Sequence, residues 1–171
     1  MNIVPAAKVL FFLPLIFLFS GLKTPALEMA VSAGPEWNMN SPKNFAAGFG
    51  LGFDINLPGA PLAVGINVAG SANFSKTGVI ETAPFIRWYF MKTPYTGFFA
   101  QLDTGYFHIM DSGDSIPMFT GGLRGGYRLP LGKMFYIEPY GRFGYPYFFG
   151  IGVMAVIGLN FSKDSTVHEQ E

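Results

Sequence analysis

Phe45–Asn56 reads FAAGFGLGFDIN, and the way this segment divides into two faces decides the fold. Its odd positions are Phe45, Ala47, Phe49, Leu51, Phe53 and Ile55; its even positions are Ala46, Gly48, Gly50, Gly52, Asp54 and Asn56. One face is bulky and apolar, the other small or polar. A 3.6-residue period cannot sort side chains this way, whereas a strand does so at every step. Leu62–Phe74 repeats the pattern, with Leu62, Val64, Ile66 and Val68 opposite Gly65, Asn67, Ser71 and Asn73.

The same test applied outward from this window predicts eight strands, at about 27–36, 45–56, 62–74, 79–90, 97–109, 118–129, 134–145 and 148–161. Turn-forming stretches separate them: NMNSPKN, LPGAP, SKTG, MKTPYT, DSGDSIP, PLGK and Pro146-Tyr147. Pro84 and Pro139 fall mid-strand on the apolar face, where a missing donor predicts a bulge and a one-residue shift of strands four and seven.

Composition narrows the class. The 171 residues are 50% hydrophobic, 17% aromatic and only 13% charged, against roughly 25% charged in ordinary soluble domains. With no Cys, the chain lacks disulfides, thiolate-bound metals and thiol catalysis. Eleven basic against eleven acidic residues give no excess for nucleic acid. Past residue 22 no apolar run approaches the ~20 residues of a membrane helix. Val9–Phe19 (VLFFLPLIFLF) followed by Ser20–Ala26 (SGLKTPA) has the plan of a secretory signal peptide, with cleavage expected after Ala26. Val31-Ser32-Ala33 is an alternative cleavage site, and an uncleaved anchor the other reading of the segment. Loss of Lys8 and Lys23 would leave nine basic and eleven acidic residues. Ser162–Glu171 reads as a polar tail, so the expected organisation is 1–26 signal, 27–161 barrel and 162–171 tail.

An eight-stranded barrel can turn its apolar face inward, as a soluble ligand carrier does, or outward to lipid. Volume decides. Eight strands enclose a lumen just wide enough for side chains to fill, and a face carrying Phe45, Phe49, Phe53, Trp88, Phe90 and Phe98 with as many further aromatics overfills it. Charge sorting agrees. Arg87, Arg124, Arg128 and Arg142 share the small-residue face with Glu28, Asp54, Glu81, Asp103 and Glu138, while Lys43, Lys76, Lys92 and Lys133 lie in turns and Lys163 in the tail. Guanidinium forks suit buried carboxylates. Trp88, Phe98, Tyr106, Phe119, Tyr127, Phe135, Tyr145, Phe149 and Phe161 lie toward strand ends, where they form interfacial girdles. The expected architecture is an all-β, eight-stranded antiparallel up-and-down transmembrane barrel with inside-out polarity.

At this point the chain resembles the small eight-stranded outer-membrane proteins of diderm bacteria, of OmpX, OmpW and OmpA-barrel type. The likeness covers residues 27–161 and rests on the signal segment, the eight alternating strands, the charged inner face and a last strand, GIGVMAVIGLNF, ending at Phe161. It implies an outer-membrane location with both termini periplasmic and short outer connections. It also implies periplasmic chaperones and the barrel-assembly machinery as biogenesis partners, outer-membrane lipid as surroundings, and a monomer. Two departures stand out. Residues continue past Phe161, and Val156 stands where the family's assembly signal favours Gly, so the signal is non-standard.

Chemistry is sparse. His108 lies near Asp111, Ser112 and Ser115, the ingredients of an acyl-chain hydrolase, but without a His/Ser spacing on one strand face. Asp111 and Asp114 are too few carboxylates for Ca²⁺. Gly121-Gly122 and Gly125-Gly126 precede no helix, so no phosphate loop is read. No catalytic residue, metal or cofactor is expected. The nine inward charges form either a packed electrostatic core or a narrow path for small or apolar solutes, as in OmpW. The packed core goes with a structural or surface protein without transport, and the third hypothesis, a lipid-modifying enzyme, comes last. Taking Pro130-Leu131-Gly132 as a three-residue hairpin with Gly132 left-handed places Leu129 opposite Lys133, Arg124 opposite Glu138 and Thr120 opposite Arg142.

Overall fold

The structure, a computed structural model, describes residues 27–41, 44–73, 78–91, 96–111 and 114–161. Eight antiparallel strands close on themselves: β1 (Leu27–Ser41), β2 (Asn44–Asn56), β3 (Leu62–Asn73), β4 (Gly78–Tyr89), β5 (Gly97–Asp111), β6 (Asp114–Pro130), β7 (Phe135–Tyr145) and β8 (Phe149–Phe161). Each strand pairs with its sequence neighbours, and β8 returns to pair with β1. The expected signal peptide and tail lie outside the described residues, as do parts of the NMNSPKN, SKTG, MKTPYT and DSGDSIP connections.

The register sets the tilt. From Met29 the paired residues run through Ile55, Val64, Ile86, Leu102 and Leu123 to Phe143. Phe143 stacks on Phe149 (ring centroids 5.2 Å), which pairs with Met39. The circuit therefore returns to β1 ten residues further along, from Met29 to Met39. A shear of that size in eight strands tilts them by roughly 40–45° from the barrel axis. Every residue on this circuit is apolar and points outward, so it is a continuous hydrocarbon-facing stripe that winds from one end of the wall to the other.

Two aromatic rings stand at the ends of the wall. Trp88, Phe90, Phe98 and Phe135 surround the terminal end, where β1 begins and β8 finishes; Tyr106, Phe119, Phe143, Tyr145 and Phe148 surround the opposite, far end, and all are exposed. Tyr127 packs edge-on against Phe98 at 4.7 Å, and Tyr106 against Phe119 at 6.0 Å. Phe149 is half-buried; the Phe161 side chain lies outside the described residues.

Three expectations need correction. Two predicted turns are largely strand. β1 runs on to Ser41, with a register shift between Met39 and Ser41, and β6 begins at Asp114, pairing with Asp111. At the start of NMNSPKN the alternation persists, Asn38 in and Met39 out, so its polar first residue belongs to the inner face and not to a loop.

Pro84 and Pro139 shift no register. Ile66↔Pro84 and Pro139↔Val153 keep step with their neighbours on both sides. An antiparallel residue directs its N–H and C=O to one neighbour only, so a proline interrupts one ladder and leaves the other whole. The interruptions fall on the β5 side of Pro84 and the β6 side of Pro139, and on the β8 side of Pro35. At two of these gaps a glycine lets backbones close in. A Cβ on Gly34 would stand 1.9 Å from the Val153 carbonyl oxygen, and one on Gly105 2.1 Å from that of Thr82. Gly105→Val is therefore expected to destabilise the barrel by about 1–3 kcal/mol through overpacking. Gly70→Val, where nothing lies within 4 Å, should stay within about 0.5 kcal/mol of the parent. Urea midpoints of the refolded variants check both.

The third correction is the hairpin of β6 and β7. Leu129 pairs with Ile137 and Arg124 with Arg142. The connection is four residues, Leu131–Met134, closed by the Leu131 N–H donating to the Phe135 carbonyl at 2.8 Å. Gly132 is absent from the left-handed glycines of the chain, so the three-residue loop does not form. Glu138 accordingly meets Arg128, not Arg124.

Candidate functional site

The lumen concentrates the polar chemistry of the described residues. Strand alternation carries Asp54 on β2, Glu81 and Arg87 on β4, Asp103 on β5, Arg124 and Arg128 on β6, and Glu138 and Arg142 on β7 inward, and all are buried. Glu28 is half-buried at the terminal rim and enters none of the ion pairs found among the described residues.

Toward the terminal end, Glu138 is clamped by two arginines. Arg87 reaches its two oxygens from separate nitrogens, each at 3.0 Å, and Arg128 Nε donates to Oε2 at 2.7 Å. Arg128 Nη2 donates to Asp54 Oδ2 at 3.1 Å. Arg87 Nε donates to Gln101 (2.8 Å), whose amide donates to Asp103 (2.5 Å), which also accepts from Asn67 at 3.1 Å. The Arg87 guanidinium lies 4.2 Å from the Phe99 ring centre and 5.3 Å from that of Phe85. Aromatic faces thus replace part of its lost hydration.

Midway, Arg124 lies 3.7 Å from Asp103 and 4.4 Å from the Tyr140 ring centre. Toward the far end Arg142 grips both oxygens of Glu81 at 2.8 and 3.0 Å, and Thr120 donates to Glu81 at 3.2 Å. Glu36 accepts from Asn38 at 2.6 Å and from Tyr140 at 2.9 Å.

A tyrosine from the last connection roofs this end. Tyr147 turns inward, its hydroxyl 2.6 Å from Ser71 Oγ on β3 and its ring 5.5 Å from the Arg142 guanidinium. It is 6% exposed, whereas its neighbour Phe148 is 71% exposed. Clamp, middle layer and roof put buried side chains into the lumen at three levels.

Four members were missed in the sequence. Glu36 has the inward parity of Glu28 and could have been found by extending strand one. Asn38 and Gln101 are neutral, so a search for charge passes over them. Nothing in Pro146-Tyr147 signals that a turn residue folds into the lumen.

Other candidate chemistry separates from this network. His108 is exposed on the outward face of β5, pairing through its backbone with Pro117; Ser112, and the side chains of Asp111, Asp114 and Ser115, lie outside the described residues. Gly121, Gly122, Gly125 and Gly126 are strand residues of β6. Among the described residues no three His, Asp or Glu come together as metal ligands.

No protein-family model matches the chain, and no curated protein matches it. Solved structures do. The N-terminal β-barrel domain of Pseudomonas aeruginosa OprF superposes with a TM-score of 0.55 at 11% identity, over 79% of this chain and 100% of that one. A de novo designed transmembrane β-barrel superposes with a TM-score of 0.50 at 9% identity, over 80% of this chain and 98% of that one. At such identities the likeness is one of fold: a closed, all-antiparallel eight-stranded barrel of outer-membrane type.

Proposed function

We propose that the chain is an integral outer-membrane protein of a diderm bacterium whose lumen is a closed electrostatic core. On this reading it acts as a membrane-embedded structural or surface protein, and neither conducts nor catalyses. The observation that carries it is the clamp of Glu138 between Arg87 and Arg128, with side chains 0–4% exposed. A water-filled channel would leave at least one of the three wet. The Tyr147 roof supports the same reading, since it would have to swing out before any solute reached the layers beneath.

On this reading both termini face the periplasm and the far end faces outward, where the described connections are short: Pro146–Phe148 joins β7 to β8. Chaperones, the assembly machinery and outer-membrane lipid are the expected partners, with the barrel acting as a monomer. The OmpW-like solute path needs all three layers to move together.

Planar-bilayer recording of the refolded protein tests this. Silence at 100 mV is expected, and steady porin-sized conductance would refute the closed core. Tyr147→Ala alone is expected to stay silent, because the Glu81–Arg142 layer lies beneath the removed ring.

A further inference from the structure

We propose that a groove on the outer wall of β5, β6 and β7 retains one acyl chain of a phospholipid from the leaflet at the terminal end. The groove has a volume of about 760 Å³ and lies open on the lipid-facing side. Among the described residues no charged side chain lines it, so it selects a hydrocarbon chain and not a headgroup.

Glycine makes the groove. Gly125 and Gly141 face outward and pair with one another across β6 and β7. On either side of them the outward residues are large: Leu123 and Phe143 toward the far end, Phe98 and Tyr127 toward the terminal end. The missing side chains bare the backs of two inward rings, Phe99 and Tyr140, which line the groove from beneath. Gly126 lets Phe99 come close, since a Cβ there would stand 2.6 Å from Phe99 Cζ. The Tyr140 hydroxyl is taken by Glu36 at 2.9 Å, so this residue offers the groove its ring alone.

The course of the groove identifies its occupant. Phe90 and Phe98, at one end, belong to the terminal girdle, and Gly141, at the other, lies midway along β7. The groove therefore runs from the girdle to the middle of the wall, the depth of one leaflet, about half of a ~30 Å hydrocarbon core. Because the strands are tilted, a row of paired residues climbs the wall obliquely, and a flexible, unbranched chain can follow it. A second copy of the barrel would bring a convex wall, which meets the rims of the groove and not its floor. Lipid tails are as apolar as the wall, so no hydrophobic drive operates here. Retention comes from dispersion contacts, which a chain in a groove makes on several sides and a chain on a smooth wall on one. The inference rests on the outer-membrane reading above and is independent of whether the lumen conducts.

Phosphatidylethanolamine with a nitroxide near the end of one acyl chain is the probe. It is titrated into refolded, ¹⁵N-labelled barrel in detergent micelles, and paramagnetic broadening is followed by NMR. The Gly125 and Gly141 amides report on the groove; Phe53 and Ile66, an outward pair on the opposite wall, report on ordinary lipid contact. Broadening at the two glycines is expected to saturate, while that at Phe53 and Ile66 grows in proportion to added lipid. Gly125→Leu, read at Gly141, and Gly141→Leu, read at Gly125, should each abolish the saturable phase. Both fit the fold, since a Cβ at either position has its nearest neighbour at 3.9 or 3.8 Å. Parallel curves at the two walls would overturn the proposal, as would saturation that survives both fillings. Broadening at the glycines that falls as protein concentration rises would give the groove to a second copy instead. No broadening at either wall would overturn the outer-membrane reading, and the proposal with it.

Discussion

Glu138→Ala is expected to be the most damaging single lumen substitution, costing about 3–5 kcal/mol because two guanidiniums are left buried with a shared partner removed. Neither Arg87 nor Arg128 has adequate compensation. Asp54 lies 3.8 Å from Arg87 and 3.1 Å from Arg128, and one carboxylate cannot neutralise both. Urea unfolding of the refolded barrel, read by the heat-dependent shift of folded barrels on gels, measures the loss. Combination with Arg128→Ala should reveal a coupling of about 1–3 kcal/mol, whereas combination with Arg124→Ala should be additive to within about 0.5 kcal/mol. The reverse pattern would restore the three-residue hairpin and reject the register found here. A small effect of Glu138→Ala alone would mean that water reaches the clamp, and the closed-core reading would fail with it.

Leu51→Arg is the second large effect, about 2–4 kcal/mol, the cost of an arginine at the middle of a lipid-facing barrel wall. Leu51 is 52% exposed, pairs with Ala33 on β1 and Val68 on β3, and sits midway along β2. The same arginine at Leu131, in the terminal-end connection and 70% exposed, should cost no more than about 1 kcal/mol. Equal effects at the two sites would contradict a membrane belt. A barrel in water would place neither residue in hydrocarbon, so it would show this pattern in neither direction.

Much of this architecture was legible because strand periodicity has only two phases. Once Phe45–Asn56 assigned bulk to one phase and Gly, Asp and Asn to the other, the same test placed Arg87, Arg124, Arg128, Arg142 and their carboxylates on one face. The structure brings them together there. Pairing across strands was less legible, since it depends on turn geometry that composition describes poorly. Pro130-Leu131-Gly132 has turn chemistry, yet the centre of the turn lies two residues further, at Lys133, and that moved Glu138 from Arg124 to Arg128. Proline was overread for a different reason. Its missing donor matters on one side of a strand only, so Pro84 and Pro139 leave one ladder whole. Tyr147 was out of reach altogether. Its place is set by Ser71, 76 residues away, and no local pattern announces a partner at that distance.

The pairing of β1 with β8 has a kinetic consequence. Leu27 meets Phe161 and Met29 meets Leu159, so the contacts that complete the wall join the first and last strands of the barrel. Seven of the eight hairpin-like ladders can form locally, but this one must wait for the whole chain, and pairings of such separation are the slow ones. Until it forms, β1 and β8 each present an open edge of unpaired backbone groups, a template for any other extended chain nearby. The seam is also one of the interrupted ladders, broken at Gly34-Pro35. The protein therefore spends its most vulnerable interval with this joint unmade, and the speed of that one closure sets how much of the chain reaches the closed state before aggregation takes the rest.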